Sequence, residues 1–103
     1  MYFVYFLQSL KNNKVYIGST EKLPEIRLKE HDEGTNKFTR NNRPLKLVYF
    51  EKYFCKQDST AREKFYKSGF GKMIKKIIIQ TINNNAQFQP KADRPMAEVR
   101  VLH

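Results

Sequence analysis

The chain has 103 residues, 40% of them apolar and 14% aromatic, with no tryptophan. That length holds one domain and one modest core; the apolar share excludes full-length disorder, and no run approaches the ~18 uninterrupted apolar residues of a membrane span. Twenty basic residues against ten acidic ones leave a formal charge of +10, a field that favours a polyanionic partner.

Tyr2 to Leu7 (YFVYFL) is a short run of β-branched and aromatic residues and reads as a strand. Met1 to Leu10 has neither a basic start nor a small-residue cleavage site, so it does not read as a secretory signal. Lys11 to Lys14 (KNNK) suits a turn, because Asn tolerates positive φ. Val15 to Gly18 resumes apolar character, and the two runs form a hairpin. A two- or four-residue loop puts Tyr5 and Tyr16 on one face, whereas an odd loop separates them. Residues 23–33 follow as a helix with Pro24 in its first turn, Gly34 beyond its end and a partial apolar stripe of Leu23, Ile26 and Leu28. Arg27 and His31 are spaced i, i+4 on one side of it.

Residues 35–44 (TNKFTRNNRP) are a polar, basic loop, and Leu45 to Phe50 is a third strand with Leu45, Leu47 and Tyr49 alternating. A second helix runs from a cap at Asp58 or Ser59 to Ser68. A third starts near Gly71 and turns Met73, Ile74, Ile77, Ile78 and Ile82 inward, with Lys72, Lys75 and Lys76 outside. Periodicity ends at Asn83, so residues 83–103 are expected to be a poorly ordered tail behind a domain of residues 1–82. The order β-β-α-β-α-α implies an α+β fold, a small three-stranded antiparallel sheet with flanking helices.

The charge is uneven. Residues 20–33 carry three bases and five acids, residues 36–80 twelve bases and three acids. Nucleic acid fits this excess, since each neutralised phosphate releases a counterion; Arg40, Arg43, Lys46, Lys67 and Lys72 are candidate contacts. No single long amphipathic helix gathers the bases, which argues against a membrane surface. Cys55 is the one cysteine, so no intramolecular disulfide or cysteine-based zinc site forms, and a reducing cytoplasm is the expected setting. Nothing in the sequence names a protein partner.

Four kinds of side chain suggest chemistry. Tyr5 and Tyr16 are potential neighbours on one sheet face, and Arg27 and His31 share one side of a helix. Glu63 is an acid flanked by Arg62 and Lys64, surroundings that keep it ionised. One such carboxylate suits Mg²⁺, which completes its shell with water and phosphate oxygens. Together these are the parts of a phosphodiester hydrolase. Each also has an ordinary meaning. The tyrosines are equally core aromatics. Arg27 can pair with Glu30 or Asp32 at the surface, His31 can close a helix end, and Glu63 can pair with Lys67 at i, i+4. From the residues alone, nucleic-acid binding stands ahead of catalysis.

Val4-Tyr5, YIGST at Tyr16–Thr20, RLKEH at Arg27–His31, PLKLVYFE at Pro44–Glu51, and AREK at Ala61–Lys64 followed by Lys67-Ser68-Gly69 resemble the GIY-YIG endonuclease superfamily, in order and over about residues 1–80. The likeness is greatest to its small single-domain bacterial members. The first motif reads Phe3-Val4-Tyr5, without the family's glycine and isoleucine, and one extra residue precedes Arg27. The resemblance implies a metal-dependent endonuclease acting on DNA. It puts catalytic roles on Tyr5, Tyr16, Arg27 and His31, a single Mg²⁺ (or Mn²⁺) on Glu63, and a close backbone approach at Gly18. A tyrosine helps to activate water, and the arginine stabilises developing charge. The alternatives are a non-catalytic basic nucleic-acid-binding module and an idle scaffold for a protein partner.

Overall fold

The structure, a computed structural model, describes residues 1–84 and the backbone of residues 99–101. Strands β1 (Tyr2–Ser9) and β2 (Val15–Thr20) pair antiparallel. The Ser9 N–H bonds the Lys14 carbonyl at 2.8 Å, which leaves the four residues 10–13 as the loop, and Asn13 takes φ +64° within it. An even loop puts Tyr5 and Tyr16 on one face: Tyr16 lies opposite Leu7 and Gly18 opposite Tyr5.

Helix α1 (Pro24–Asp32) opens on Pro24 at its first position and ends ahead of Gly34, whose φ is +86°. The stretch read as a loop contains a short helix, α2 (Lys37–Arg40). The Asn36 side chain caps it by accepting from the Phe38 and Thr39 N–H groups, a signal buried among polar residues without apolar period. Strand β3 (Leu45–Tyr53) pairs with β1, and helices α3 (Lys56–Lys67) and α4 (Gly69–Asn84) follow. Strand β4 (Val99–Val101) pairs with β3 and extends the expected three-stranded sheet to the order β2-β1-β3-β4. The expected tail of residues 83–103 thus includes the end of α4 and this strand; the rest of it lies outside the described residues.

Apolar groups on both sides of β1 make it the central strand. Val4 and Phe6 join Ile17, Tyr49, Tyr66, Ile74, Ile78 and Ile82 on the face covered by α3 and α4. Phe3, Tyr5 and Leu7 join Leu45, Leu47 and Phe50 on the other, which Leu28 of α1 covers. The alternation expected for β3 is broken. A bulge at Val48, between the Phe6–Tyr49 and Leu7–Leu47 pairs, turns Tyr49, Glu51 and Tyr53 toward α3 while Leu45 and Leu47 face α1.

Three helix expectations need correction. Leu23 and Ile26 are exposed, and α1 buries Pro24 and His31 instead, because a polar network rather than an apolar stripe holds it. Helix α3 begins at Lys56 behind Cys55, with Asp58 in its first turn rather than at its cap. Helix α4 packs through Ile74, Ile78, Ile79 and Ile82, while Met73 and Ile77 sit too far round its axis and stay half exposed.

Candidate active site

The site forms at the β2 edge of the sheet. Tyr5 reaches it from the buried central strand, where its side chain is 1% exposed. Arg27 and His31, one turn apart on α1, come down on the phenol: Arg27 Nε donates to Tyr5 Oη at 3.4 Å, and Tyr5 Oη lies 3.1 Å from His31 Nε2. Arg27 Nη2 is 3.3 Å from the same Nε2. Since a guanidinium can only donate, Nε2 is an acceptor. Nδ1 therefore carries the ring proton and donates to Thr39 Oγ1 at 2.7 Å. Tyr5 is left to donate its own hydroxyl proton to Nε2.

Electrostatics agree with that assignment. Burial, then the Arg27 charge, lower the His31 pKa and favour the neutral ring. Burial raises the Tyr5 pKa, with Tyr16 and Glu63 adding to the rise; the hydrogen bond and charge of Arg27 work against it. Arg27 is steadied by Glu30, whose Oε1 accepts from Nη1 at 2.5 Å and whose Oε2 takes Lys22 at 2.6 Å. The surface pairing open to Arg27 on sequence grounds is therefore present, beside its contacts to Tyr5 and His31. The extra residue ahead of Arg27 does not turn it away, because Leu23 is extended and the helix starts after it.

Tyr16 flanks this cluster. Its ring centroid is 6.3 Å from that of Tyr5 and 4.9 Å from that of His31, and its Oη accepts from Asn36 Nδ2 at 3.5 Å. Gly18 leaves room for the Tyr5 ring: a Cβ there would stand 2.6 Å from Tyr5 Cζ.

Glu63 approaches from α3, on the other side of β2. Ser19 Oγ donates to its Oε1 at 2.5 Å and Lys67 Nζ to its Oε2 at 2.6 Å. Lys67 Nζ also lies 5.9 Å from the Tyr16 ring centroid, so one ammonium links carboxylate and phenol. Burial pushes the Glu63 pKa up, but the hydrogen bonds from Lys67 and Ser19 outweigh it, and the net shift is below the usual carboxylate value. Its side chain remains 23% exposed. Among the described residues there is no cluster of three His, Cys, Asp or Glu for a metal. The donor set is one ionised, solvent-reaching carboxylate, which fits a Mg²⁺-like ion that keeps most of its waters.

The basic candidates divide. Lys67 and Lys72 line a groove beside Tyr16. Arg40 and Lys46 are exposed, on α2 and β3. The Arg43 guanidinium is bound to the backbone carbonyls of Arg40 and Asp32, at 2.9 and 3.2 Å, so it braces the loop.

Sequence reasoning missed Thr39, Asn36 and Ser19, each touching one of these side chains. It also missed Glu51, a buried carboxylate on the α3 side. Tyr49 and Tyr53 donate to it at 2.7 and 2.5 Å, Tyr66 donates as well, and Arg62 Nε lies at 3.1 Å. Burial and this carboxylate raise the pKa of all three phenols. Asn36 stands ahead of a potential helix start, and Ser19 and Glu51 lie inside the YIGST and PLKLVYFE strings; Thr39 left no such trace in the sequence.

A family model described as the GIY-YIG catalytic domain matches residues 1–77. A UPF0213 protein of Clostridium perfringens is 41% identical over 68 residues, covering 65% of this chain and 71% of its own. A UPF0213 protein of Bacillus licheniformis is 29% identical over 87 residues, 84% of this chain and 89% of that one. The UPF0213 protein YazA of Bacillus subtilis is 27% identical over 84 residues, 81% and 83% of the two chains.

Proposed function

The chain belongs to the GIY-YIG nuclease family, and on that premise we propose that it is a metal-dependent endonuclease hydrolysing phosphodiester bonds in DNA. The observation that carries the proposal is the set of contacts among Tyr5, Arg27 and His31, with Glu63 joined to their flank through Lys67.

Glu63 is the residue to hold one Mg²⁺ or Mn²⁺, which supplies Lewis-acid polarisation of the scissile phosphate. Lys67, which shares Glu63 with Ser19 and stands beside Tyr16, would serve the DNA backbone next to that ion. Tyr5 and His31 form the proton path. A water presented to Tyr5 Oη loses its proton to the phenol oxygen as the phenol proton passes to His31 Nε2; the hydroxide bonds to phosphorus, the bond from phosphorus to one sugar oxygen breaks, and that leaving oxygen takes a proton from solvent. Thr39 keeps Nε2 available by holding the Nδ1 proton. Arg27, donating to Tyr5 Oη, stabilises negative charge there and faces the charge that develops on phosphorus oxygens. Tyr16 walls the cleft on the substrate side and orients the attacking water.

A second reading, a non-catalytic basic nucleic-acid-binding module, draws on the fact that Glu63 and Arg27 both sit in ordinary helix ion pairs. One experiment separates them: plasmid, single strands, flaps and junctions incubated with Mg²⁺ or Mn²⁺, with and without EDTA, beside Glu63→Ala. Nicking that EDTA and Glu63→Ala both abolish supports the endonuclease. Intact substrates throughout, with salt-sensitive binding that Glu63→Ala alters only through charge, support the binder and overturn the enzyme.

A further inference from the structure

A groove of about 510 Å³ adjoins the catalytic cluster, with Tyr16, Phe38 and Tyr66 among its walls and Lys67, Lys72 and Lys75 along it. Phe38 is 53% exposed, although its neighbour Thr39 is fully buried. Its ring centroid lies 5.7 Å from that of Tyr16, with 35° between the planes. The Asn36 cap holds it in place by accepting from the Phe38 N–H at 2.9 Å. Folding therefore leaves a large aromatic face presented to solvent beside a tyrosine of the cleft. The lysine wall is crowded: burial and the nearby Lys72 charge both lower the Lys75 pKa. A string of anions would relieve that crowding.

We propose that this groove takes a single strand of DNA, with one unpaired base stacked on Phe38 beside Tyr16 while Lys67, Lys72 and Lys75 follow the phosphates, so that the substrate is unpaired or splayed DNA rather than continuous duplex. Stacking on an exposed ring needs a base face, and in an uninterrupted duplex those faces are covered by neighbouring bases. Lysines along the groove serve the backbone without reading sequence. The part concerning cleavage rests on the endonuclease reading; the part concerning stacking is read by binding alone.

The test measures fluorescence anisotropy of a short labelled single strand, and of the same strand annealed into a blunt duplex, both in EDTA. Phe38→Ala is expected to weaken single-strand binding by roughly tenfold, the scale of one lost base stack, and to leave duplex binding within about twofold. Phe38→Tyr keeps the ring face and keeps the affinity. Phe38→Leu keeps apolar bulk without the ring and binds like Phe38→Ala. Equal weakening on both DNAs, no weakening, or wild-type binding by Phe38→Leu overturns the proposal. Adding Mg²⁺ or Mn²⁺ then separates the two claims. A strand held through Phe38 while that strand, plasmid, flaps and junctions all stay uncut leaves the groove standing and removes the endonuclease; duplex cut as fast as single strand does the reverse.

Discussion

The Tyr5 hydroxyl hands its proton toward His31 Nε2 across 3.1 Å, and with the Arg27 Nε bond to the same oxygen this contact ties the central strand to α1. Both side chains are buried, so the pair is held by its surroundings rather than by chance exposure. Tyr5→Phe removes a hydroxyl that donates to His31 and accepts from the Arg27 guanidinium, and is expected to cost about 1.5–3 kcal/mol of stability. Nicking should fall on the order of 10²–10⁴-fold, the usual worth of a positioned proton carrier. Thr39→Val should also slow nicking by freeing Nδ1, and Thr39→Ser should restore it. Thermal melts run beside nicking rates check all three; a rate that merely follows stability would contradict the relay.

Glu63→Gln keeps the shape of the carboxylate but not its charge. Its partner Lys67 is half exposed, so the lost ion pair should matter little to stability. Metal-dependent nicking should disappear, and excess Mn²⁺ should not bring it back. A Mn²⁺ titration of the wild type and the variant by water proton relaxation provides the measurement, since weaker metal binding should accompany the lost rate.

The His31 pKa is depressed by burial and by Arg27 below its ordinary 6.5. Its ring is therefore neutral near pH 7, and Nε2 is free to accept. As pH falls below about 6.5, unfolded chains take up this proton before folded ones. Stability that is full above that pH is then lost progressively until the lower folded value is passed. Nicking should decline on the acid side with the folded-state value, because a protonated Nε2 cannot receive the Tyr5 proton. Imidazole NMR titration set against a pH–rate profile checks the correspondence.

Gly18→Ala would place a methyl 2.6 Å from Tyr5 Cζ, closer than any real contact, on a strand that cannot yield without losing its pairing. Overpacking of this kind costs about 1–3 kcal/mol. The displaced Tyr5 should lose its bond to His31, so nicking should drop further than the melting temperature alone explains. Activity measured well below the melting point distinguishes the two effects.

Glu51→Ala should be the most destabilising of these changes. The carboxylate is 3% exposed and accepts from three phenols and Arg62. Removing it turns the partly exposed Arg62 to water and leaves the buried Tyr49 and Tyr66 hydroxyls without their acceptor, a loss of about 1–3 kcal/mol each. Urea unfolding measures it directly. Because Arg62 immediately precedes Glu63 on α3, this clamp also fixes the rotation at which α3 presents Glu63.

Much of this molecule is written in short-range pattern. The unbroken β-branched and aromatic run over Tyr2–Leu7, the Asn-rich turn, Pro24 ahead of Gly34, and isoleucines at helical spacing in α4 each report a local backbone preference, and each marks an element that is present. The motif strings likewise carry their family likeness in residue order alone. What needed the tertiary structure is everything decided between segments distant in sequence. The Val48 bulge exchanges the faces of β3, so that odd-numbered residues pack toward α1 before it and toward α3 after it, and no periodicity in β3 signals where that exchange falls. Thr39 meets His31 only because a short capped helix folds back on α1, and Glu51 finds its phenols only after that bulge turns it inward. Local propensity chose the pieces; the satisfaction of buried polar groups by distant partners chose how they meet.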